Sequence, residues 1–347
     1  MAVIMVLVPP LRFPEFTDEW TETSIGSVLT IGNGRDYKDL GHGDVPVFGT
    51  GGYMTSVNKF LLDGESVFIG RKGTINKPFY FNGKFWTVDT LFYTHSFKGI
   101  LPKFVLSIFE NIDWLKYNEA SGVPSLSKST IEKIIICIPR IIEQQKISDF
   151  IDLLNHRIEL QSKLIEQLQS LMGGIIEQLT AHSPNVRIAD CLNCYSSTLQ
   201  ENQLNEIGKY CVYGANGVCG YTDYPAINGD SILIVKDGSG VGNVRIATGE
   251  YSVIGTSNYL TAKSGYNLRY LYYCLMKFNF APYKTGMAIP HIYFKDYGKA
   301  KIYCPAVEEQ ERIANILSRI ERKMAIEQSI TDHYNEQKQY LLQQMFI

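Results

Sequence analysis

The sequence predicts an α+β protein built twice over: two pseudo-symmetric domains separated by two long antiparallel coiled-coil helices. Three observations carry this. Phrases recur at an offset of 165 or 166 positions, short apolar runs broken by Gly, Asn, Asp and Pro fill most of each copy, and each copy ends in an apolar repeat with alternating spacings of four and three.

The recurrence comes first because it dictates architecture. "VPVFGTGG" at 45–52 returns as "YCVYGANG" at 210–217, and "GESVFIGRKG" at 64–73 as "GDSILIVKDG" at 229–238. With one residue of slippage "NGKFWTVDT" matches "TGEYSVIGT". "GVPSL" then faces "MAIPHI", aligning Pro124 with Pro290, and "CIPRIIEQQKI" faces "YCPAVEEQERI", aligning Pro139 with Pro305. So long a period excludes a solenoid, and each copy is a whole domain followed by a helix. The expected boundaries are 1–139 and 183–305 for the domains, 140–182 and 306–347 for the helices.

Within the first domain "VPVFG", "SVFIG", "PFYF" and "TVDTLFY" read as strands joined by tight turns. "LPKFVLSIFENIDW" reads as a short amphipathic helix, and its counterpart is "LRYLYYCLMKF" at 268–278. Each domain is therefore expected to be mostly antiparallel. After Pro139 the period changes. Ile147, Ile151, Leu154, Ile158, Gln161, Ile165, Leu168, Met172, Ile175 and Leu179 form a heptad seam with one polar break. Ile313, Leu317, Ile320, Met324, Glu327, Ile330 or Thr331, Tyr334, Leu341 and Met345 repeat it, the break at Glu327 matching Gln161. An amphipathic helix lying on its own domain is the competing reading, but such helices rarely exceed 20 residues. A helix of about 40 residues would rise ~60 Å, so the second helix must run back to pair with the first. Gly173-Gly174 is a point where the first helix would loosen or kink.

Composition fits two globular domains: 347 residues, 45% hydrophobic and 20% charged. No run is long and apolar enough to span a membrane. "MAVIMVLV" lacks a cationic flank and meets Pro9-Pro10 at once, so it reads as an extra strand or a loose start, and an uncleaved cytoplasmic chain is expected. The net charge of −2 is unlike that of a chain that holds nucleic acid alone, unless its basic residues are concentrated. They are: residues 71–103 hold six Lys or Arg against one acid, 236–301 hold nine against three, and 140–182 hold four against six. The seven cysteines include a C-x-x-C at Cys191 and Cys194, but Cys211 and Cys219 are too far apart for the second pair of a zinc ribbon. In the repeat these four align with Val28, Ile31, Pro46 and Met54, so packing positions are expected and no metal site.

Basic glycine-bearing loops are the candidates for contact with a polyanion, since glycine lets backbone approach a ligand and cations neutralise phosphate. In the first domain these are Thr50, Gly51 and Tyr53, then Arg71, Lys72, Thr74, Asn76 and Lys77. In the second they are Ala215, Asn216 and Tyr221, then Lys236, Ser239, Asn243 and Arg245. The alternative for each is an ordinary hairpin turn with solvated charges, and for Tyr53, Tyr213 and Tyr221 it is core filling. No catalytic residue is assigned. There is no Asn/Asp-Pro-Pro-aromatic motif and no phosphate-binding G-x-x-x-x-G-K-[ST]; "GSGVGN" lacks the last glycine of a dinucleotide fingerprint; and no acid or nucleophile is tied by spacing to His42, His95 or His291. No cofactor is expected.

"LRFPEFTDEW" at 11–20, "PVFGTGGY", "IGRKGTI", "FWTVDT", "IPRIIEQQKISDFI" and "CPAVEEQERIANIL" together resemble the specificity subunit of type I restriction–modification systems, over nearly the whole chain. The resemblance implies that the domains are target-recognition domains, each reading one half of a bipartite site in double-stranded DNA. It implies that the helices set the gap and dock two methyltransferase subunits, and that restriction subunits join that core. The second domain departs from the first: "VKDG" replaces "GRKG", "GANG" replaces "GTGG", and His291 replaces Ser125. An asymmetric target is therefore expected. The competing class is a coiled-coil scaffold whose domains bind protein, which the basic loops disfavour.

Overall fold

The computed structural model describes residues 8–347. The strand or loose start expected at the N-terminus therefore lies, but for Val8, outside the described residues. The chain divides into two compact units. One runs to Ser162 and adds Ser329–Ile347; the other is Lys163–Gln328.

In the first unit β1 (Thr21–Ser24) leads through a single helical turn, α1 (Ile25–Val28), to β2 (Thr30–Asn33). β3 (Val45–Gly49), β4 (Gly52–Val57), β5 (Leu62–Gly70), β6 (Phe79–Thr87) and β7 (Leu91–His95) follow, and the sheet order is β2-β7-β5-β6-β3-β4. Pairing is antiparallel except between β3 and β6, where Val47 lies beside Trp86 in parallel. The helix α2 (Pro102–Asn111) starts on proline, which costs nothing at a position whose N–H has no helical acceptor. It buries Phe104, Val105, Ile108 and Phe109 in the same core as Val67 and Ile69 of β5. α3 (Lys128–Lys133) is capped by Ser127, and β8 (Ile135–Ile138) returns to pair with β1.

α4 (Ile141–Thr180, 40 residues) follows. The second unit then repeats the list: β9 (Val186–Arg187), α5 (Ile188–Cys191), β10 (Leu192–Ser196), β11 (Tyr210–Gly214), β12 (Gly217–Thr222), β13 (Ile227–Asn228), β14 (Ser231–Val235), β15 (Val244–Ala247), β16 (Glu250–Val253), β17 (Ser257–Ala262), α6 (Leu268–Met276), α7 (Phe294–Tyr297), β18 (Lys301–Ile302) and α8 (Val307–Met345, 39 residues). The match reaches to irregularities. Both hairpins bulge at the same place, between Val47 and Phe48 and between Val212 and Tyr213, and both carry the parallel neighbour, Val212 beside Ser252. The long strands β5 and β6 pair without a break across opposed glycines of positive φ, Gly64 (141°) and Gly83 (133°). In the second unit the same strands are interrupted there, at Gly229 and Gly249, which share a 2.8 Å hydrogen bond.

Each unit takes half of each long helix into its core. In the first, Ile147, Ile151 and Leu154 of α4 join Leu341, Leu342, Met345 and Phe346, and Arg157 meets the Tyr334 hydroxyl at 3.4 Å. As α4 advances its partners fall in number, so the two run antiparallel. In the second, Ile176 and Leu179 share a core with Ile313, Ala314 and Leu317, again the end of one helix with the start of the other. Glu327 is buried and ion-paired with Lys323. The helix passes Gly173-Gly174 unbroken, and a side chain at either would meet nothing within 4 Å. The helix survives these positions because glycine only lowers helix propensity, by about 1 kcal/mol per residue, and the flanking Met172, Ile175 and Ile176 pack into the second unit's core.

One buried amide ties each domain to its helix. Gln144, fully buried, accepts from the backbone N–H of Leu101, the residue capping α2, at 2.9 Å. Its amide nitrogen donates to the carbonyls of Gly99 (3.0 Å) and Pro139 (2.8 Å). Gln310 repeats the arrangement, accepting from Asn267 N, which caps α6, at 2.9 Å and donating to Pro305 at 2.8 Å. Beside Gln144, the buried Glu143 carboxylate accepts from Nε and Nη2 of Arg12, each at 2.7 Å, and from the Trp20 indole N–H at 3.2 Å. The bonds from Arg12 to this carboxylate are the main reason its guanidinium is held even further above neutrality than usual. Leu11 N adds a bond to Gln344 O at 2.9 Å. "LRFPEFTDEW" is thus a strap across the start of α4 and the end of α8.

Gln144→Ala is expected to cost the first unit about 3 kcal/mol, since three backbone groups lose their buried partner. Gln144→Glu is expected to cost nearly as much, because a carboxylate cannot donate to the two carbonyls. Urea denaturation checks both; a loss under about 0.5 kcal/mol would show that the amide does not hold the domain.

Candidate nucleic-acid interface

β5 ends at Gly70, where a side chain would stand 2.0 Å from the Thr74 carbonyl oxygen. Only glycine lets the loop fold back so tightly. Ile75, buried, anchors it. The backbone between is fully used: Arg71 N and Lys72 N both donate to Thr90 O (2.8 and 3.2 Å), Gly73 N donates to Pro124 O (2.8 Å), and Leu126 N donates to Arg71 O (2.9 Å). With the main chain tied inward, the side chains of Arg71, Lys72 and Thr74 stand exposed. Arg71 is steadied by a 3.2 Å bond to Asp89 O and by the Phe92 ring, 5.9 Å from its centre. Arg71, Lys72, Ser125 and Lys128 line a cleft of about 640 Å³. Glu119, also in its lining, accepts from Thr130 and from the Ser127 hydroxyl (2.8 Å), bonds that hold its carboxyl below the usual range.

The structure separates the first unit's predicted residues. Thr50 lies beside the loop, its hydroxyl 3.8 Å from where a Gly73 side chain would start, and Gly51 is the exposed tip of the two-residue turn. Tyr53 is 64% exposed, so the core-filling alternative does not hold for it. Asn76 and Lys77 face away, in a shallow depression with Glu110, Asn335 and Lys338.

The second unit rebuilds the same frame. Lys236 N and Asp237 N donate to Thr256 O (2.9 and 3.2 Å), Gly238 N to Pro290 O (3.0 Å), and Ile292 N to Lys236 O (2.9 Å). Val241 is the buried anchor. The side chains differ. Lys236 donates to Asp237 at 2.6 Å, and His291 Nδ1 donates to the other Asp237 oxygen at 2.8 Å. Burial pushes the Asp237 carboxyl up, but these two bonds outweigh it and hold the group below the usual range. Lys236 is therefore half-buried and already paired, contrary to its expected place as a free phosphate-binding cation. Ala215, Asn243 and Arg245 do come together in a small hollow, where Gly217 leaves room for the guanidinium at 2.9 Å from a would-be side chain. Ser239 and Asn216 are exposed on neighbouring turns. Tyr221 is half-buried and bonds through its backbone to Asn205 in both directions at 2.9 Å, with its side chain against Gly208. It belongs to the sheet edge.

The sequence singled out Ser125 and its replacement His291, but not that their loop bridges the first loop of each site, Ser125 to Lys72 and His291 to Asp237. It also missed the acid attached to His291, which stands 54 positions away. The signal was present in the aligned prolines: each loop bonds to the first through the carbonyl of Pro124 or Pro290. Of the four cysteines expected at packing positions, Cys191 is buried and Cys219 is exposed, as is its counterpart Met54.

The profile of the type I restriction modification DNA specificity domain matches residues 17–170 and again 186–333. The chain belongs to this family. Solved specificity-family structures share its fold: the S subunit of a type I restriction–modification system from M. genitalium superposes with a TM-score of 0.73 at 17% identity, over 98% of this chain and 99% of that one. A second, from work on complex assembly and conformational transition of the type I R-M system, gives 0.53 at 15% identity over 96% and 98%. The EcoprrI specificity subunit of Escherichia coli is 26% identical over 112 residues, which is 32% of this specificity-family chain and 28% of that relative. The match to this curated relative thus spans under a third of its length. No helix among the described residues is long and apolar enough to cross a membrane.

Gly70→Ala is expected to displace the 71–74 turn and cost about 1–3 kcal/mol, the usual range for overpacking. Denaturation gives the cost, and faster protease nicking between residues 71 and 77 would report the displaced turn.

Proposed function

We propose that this chain is the DNA sequence-recognition subunit of a type I restriction–modification complex, with each unit reading one half of a bipartite, asymmetric site. The observation that carries the reading is the pair of matched loop frames. The backbone bonds of 71–73 with 90, 124 and 126 recur at 236–238 with 256, 290 and 292, while the outward side chains differ. A frame held constant under changing polar side chains is what reading two different half-sites requires. Family membership supports it. On this reading α4 and α8 set the gap between half-sites and dock two methyltransferase subunits, restriction subunits join them, and the chain itself catalyses nothing and works in the cytoplasm. The excess of basic over acidic residues at 71–103 and 236–301, reversed at 140–182, supports that division of labour.

Filter binding of the full chain to duplex DNA at two salt concentrations tests it. Binding is expected to weaken steeply with salt, and Arg71→Ala is expected to cost about 1–3 kcal/mol if Arg71 meets a base, or to lower the salt slope by about one if it meets a phosphate. Salt-independent binding, or none, would favour a protein-binding scaffold. Removing one heptad from each of α4 and α8 is expected to shorten the preferred gap in the methylated site, and an unchanged gap would refute the role given to the helices.

A further inference from the structure

The two loop frames differ most at one place. In the first unit Lys72 faces Ser125 across a single antiparallel bridge; in the second the bridge joins Asp237 to His291. The bridged backbones are the same, so the side chains there are alternatives mounted on one fixture. Lys72 adds a free cation: no hydrogen bond or ion pair among the described residues uses its ammonium. In the second unit the charges cancel within the fixture, since Lys236 and His291 each take one oxygen of Asp237.

His291 is held more firmly than a surface histidine. A second bridge ties it to Thr285 through two backbone bonds of 2.8 Å, and Gly286 (φ 89°) lies against the ring edge, where a side chain would come within 3.0 Å of Cδ2. Asp237 accepts the Nδ1 hydrogen, because an ionised carboxylate can only accept. In the neutral ring that fixes the tautomer and leaves Nε2 as a lone-pair acceptor. The ring is about a third exposed, and no bond among the described residues engages Nε2.

We infer that the facing pair on this bridge sets base preference in each half-site, and that His291 Nε2, oriented by Asp237, accepts from an exocyclic amino group, that of adenine or cytosine, in the half-site read by the second unit. In the first unit Lys72, beside Arg71, presents donors instead, which suit the O6 and N7 acceptors of guanine. This rests on the DNA-reading function proposed above and specifies which atoms do the reading.

The test is selection of duplexes randomised in both half-sites by the full chain at mildly alkaline pH, followed by sequencing. The unsubstituted chain is expected to select an amino-bearing base at one position of one half-site. His291→Ser is expected to reduce discrimination there by roughly 5- to 150-fold, the range of a single mismatch, and to leave the other half-site unchanged. His291→Gln is expected to narrow the choice to adenine, which an amide reads with two bonds. Lys72→Asp with Ser125→His is expected to move the preference in the first half-site alone toward an amino-bearing base, and this pair of substitutions decides the question even where a His291 variant does not fold. Selection unchanged by His291→Ser, or altered in both half-sites, would overturn the inference while leaving DNA reading intact. An unsubstituted chain that selects no sequence would overturn both.

Discussion

A buried side-chain amide has four hydrogen-bonding capacities, and each one left empty in the interior costs on the order of 1–3 kcal/mol. Gln144 therefore does not merely sit at the start of α4; it constrains what surrounds it. The cap of α2, the carbonyl of Gly99 and the carbonyl of Pro139 must all converge on one side chain. Since α2 in turn packs under β5, whose end is the Arg71 loop, the direction of the long helix and the position of the loop are referred to the same point. Gln310 imposes the same convergence of α6, Pro305 and α8 on the other unit. Rigid carriage of a loop by a helix depends on this junction, because a slack junction would let the side chains wander by more than the ångström or so that base-edge contacts tolerate.

The units keep this junction and differ around it. Glu143 is buried and satisfied by Arg12 and Trp20, whereas the aligned Glu309 pairs with Arg312 on the surface. A buried carboxylate with neither partner would be strongly destabilising, so the strap at 11–20 is a requirement of Glu143 and not an ornament of the N-terminus. In the second unit the matching carboxylate, Glu309, stays at the surface and needs no strap to satisfy it. The same economy explains the strands. β5 and β6 stay paired across the opposed Gly64 and Gly83, while at Gly229 and Gly249 the corresponding strands are interrupted and a single bond joins the main chains instead.

Much of this was legible in the residues because it depends on periodicity and on chain neighbours. The repeat at 165 positions exposed the duplication, and the four–three spacing exposed the helices. The parallel contact of β3 with β6 was not legible, since nothing local distinguishes it. The site was legible in part. "GRKGTINK" has the composition of a loop, yet Gly70 and Ile75 turn it so that Arg71 and Lys72 go one way and Asn76 and Lys77 another. Composition counts charges without regard to that turn. Likewise Lys236 counts as a cation although its neighbour Asp237 cancels it, and the His291–Asp237 pair is invisible to any spacing rule because a bridge between two loops creates it.

That cancellation bears on how the two units would divide their work. Sequence-independent affinity for a polyanion comes from cations free to displace counterions. The first unit keeps Lys72 free at its bridge, so on the proposed reading it adds attraction together with its base preference. The second unit commits Lys236 to Asp237, and Asp237 to orienting His291. What it gives up in attraction it gains in definition, because an acceptor whose tautomer and ring plane are both fixed rejects a base that offers no donor, leaving its lone pair buried and unpaired at the cost of a mismatch. A chain with a net charge of −2 can therefore discriminate between sequences without being strongly basic, provided that its partners or its other loops supply the attraction that this bridge does not.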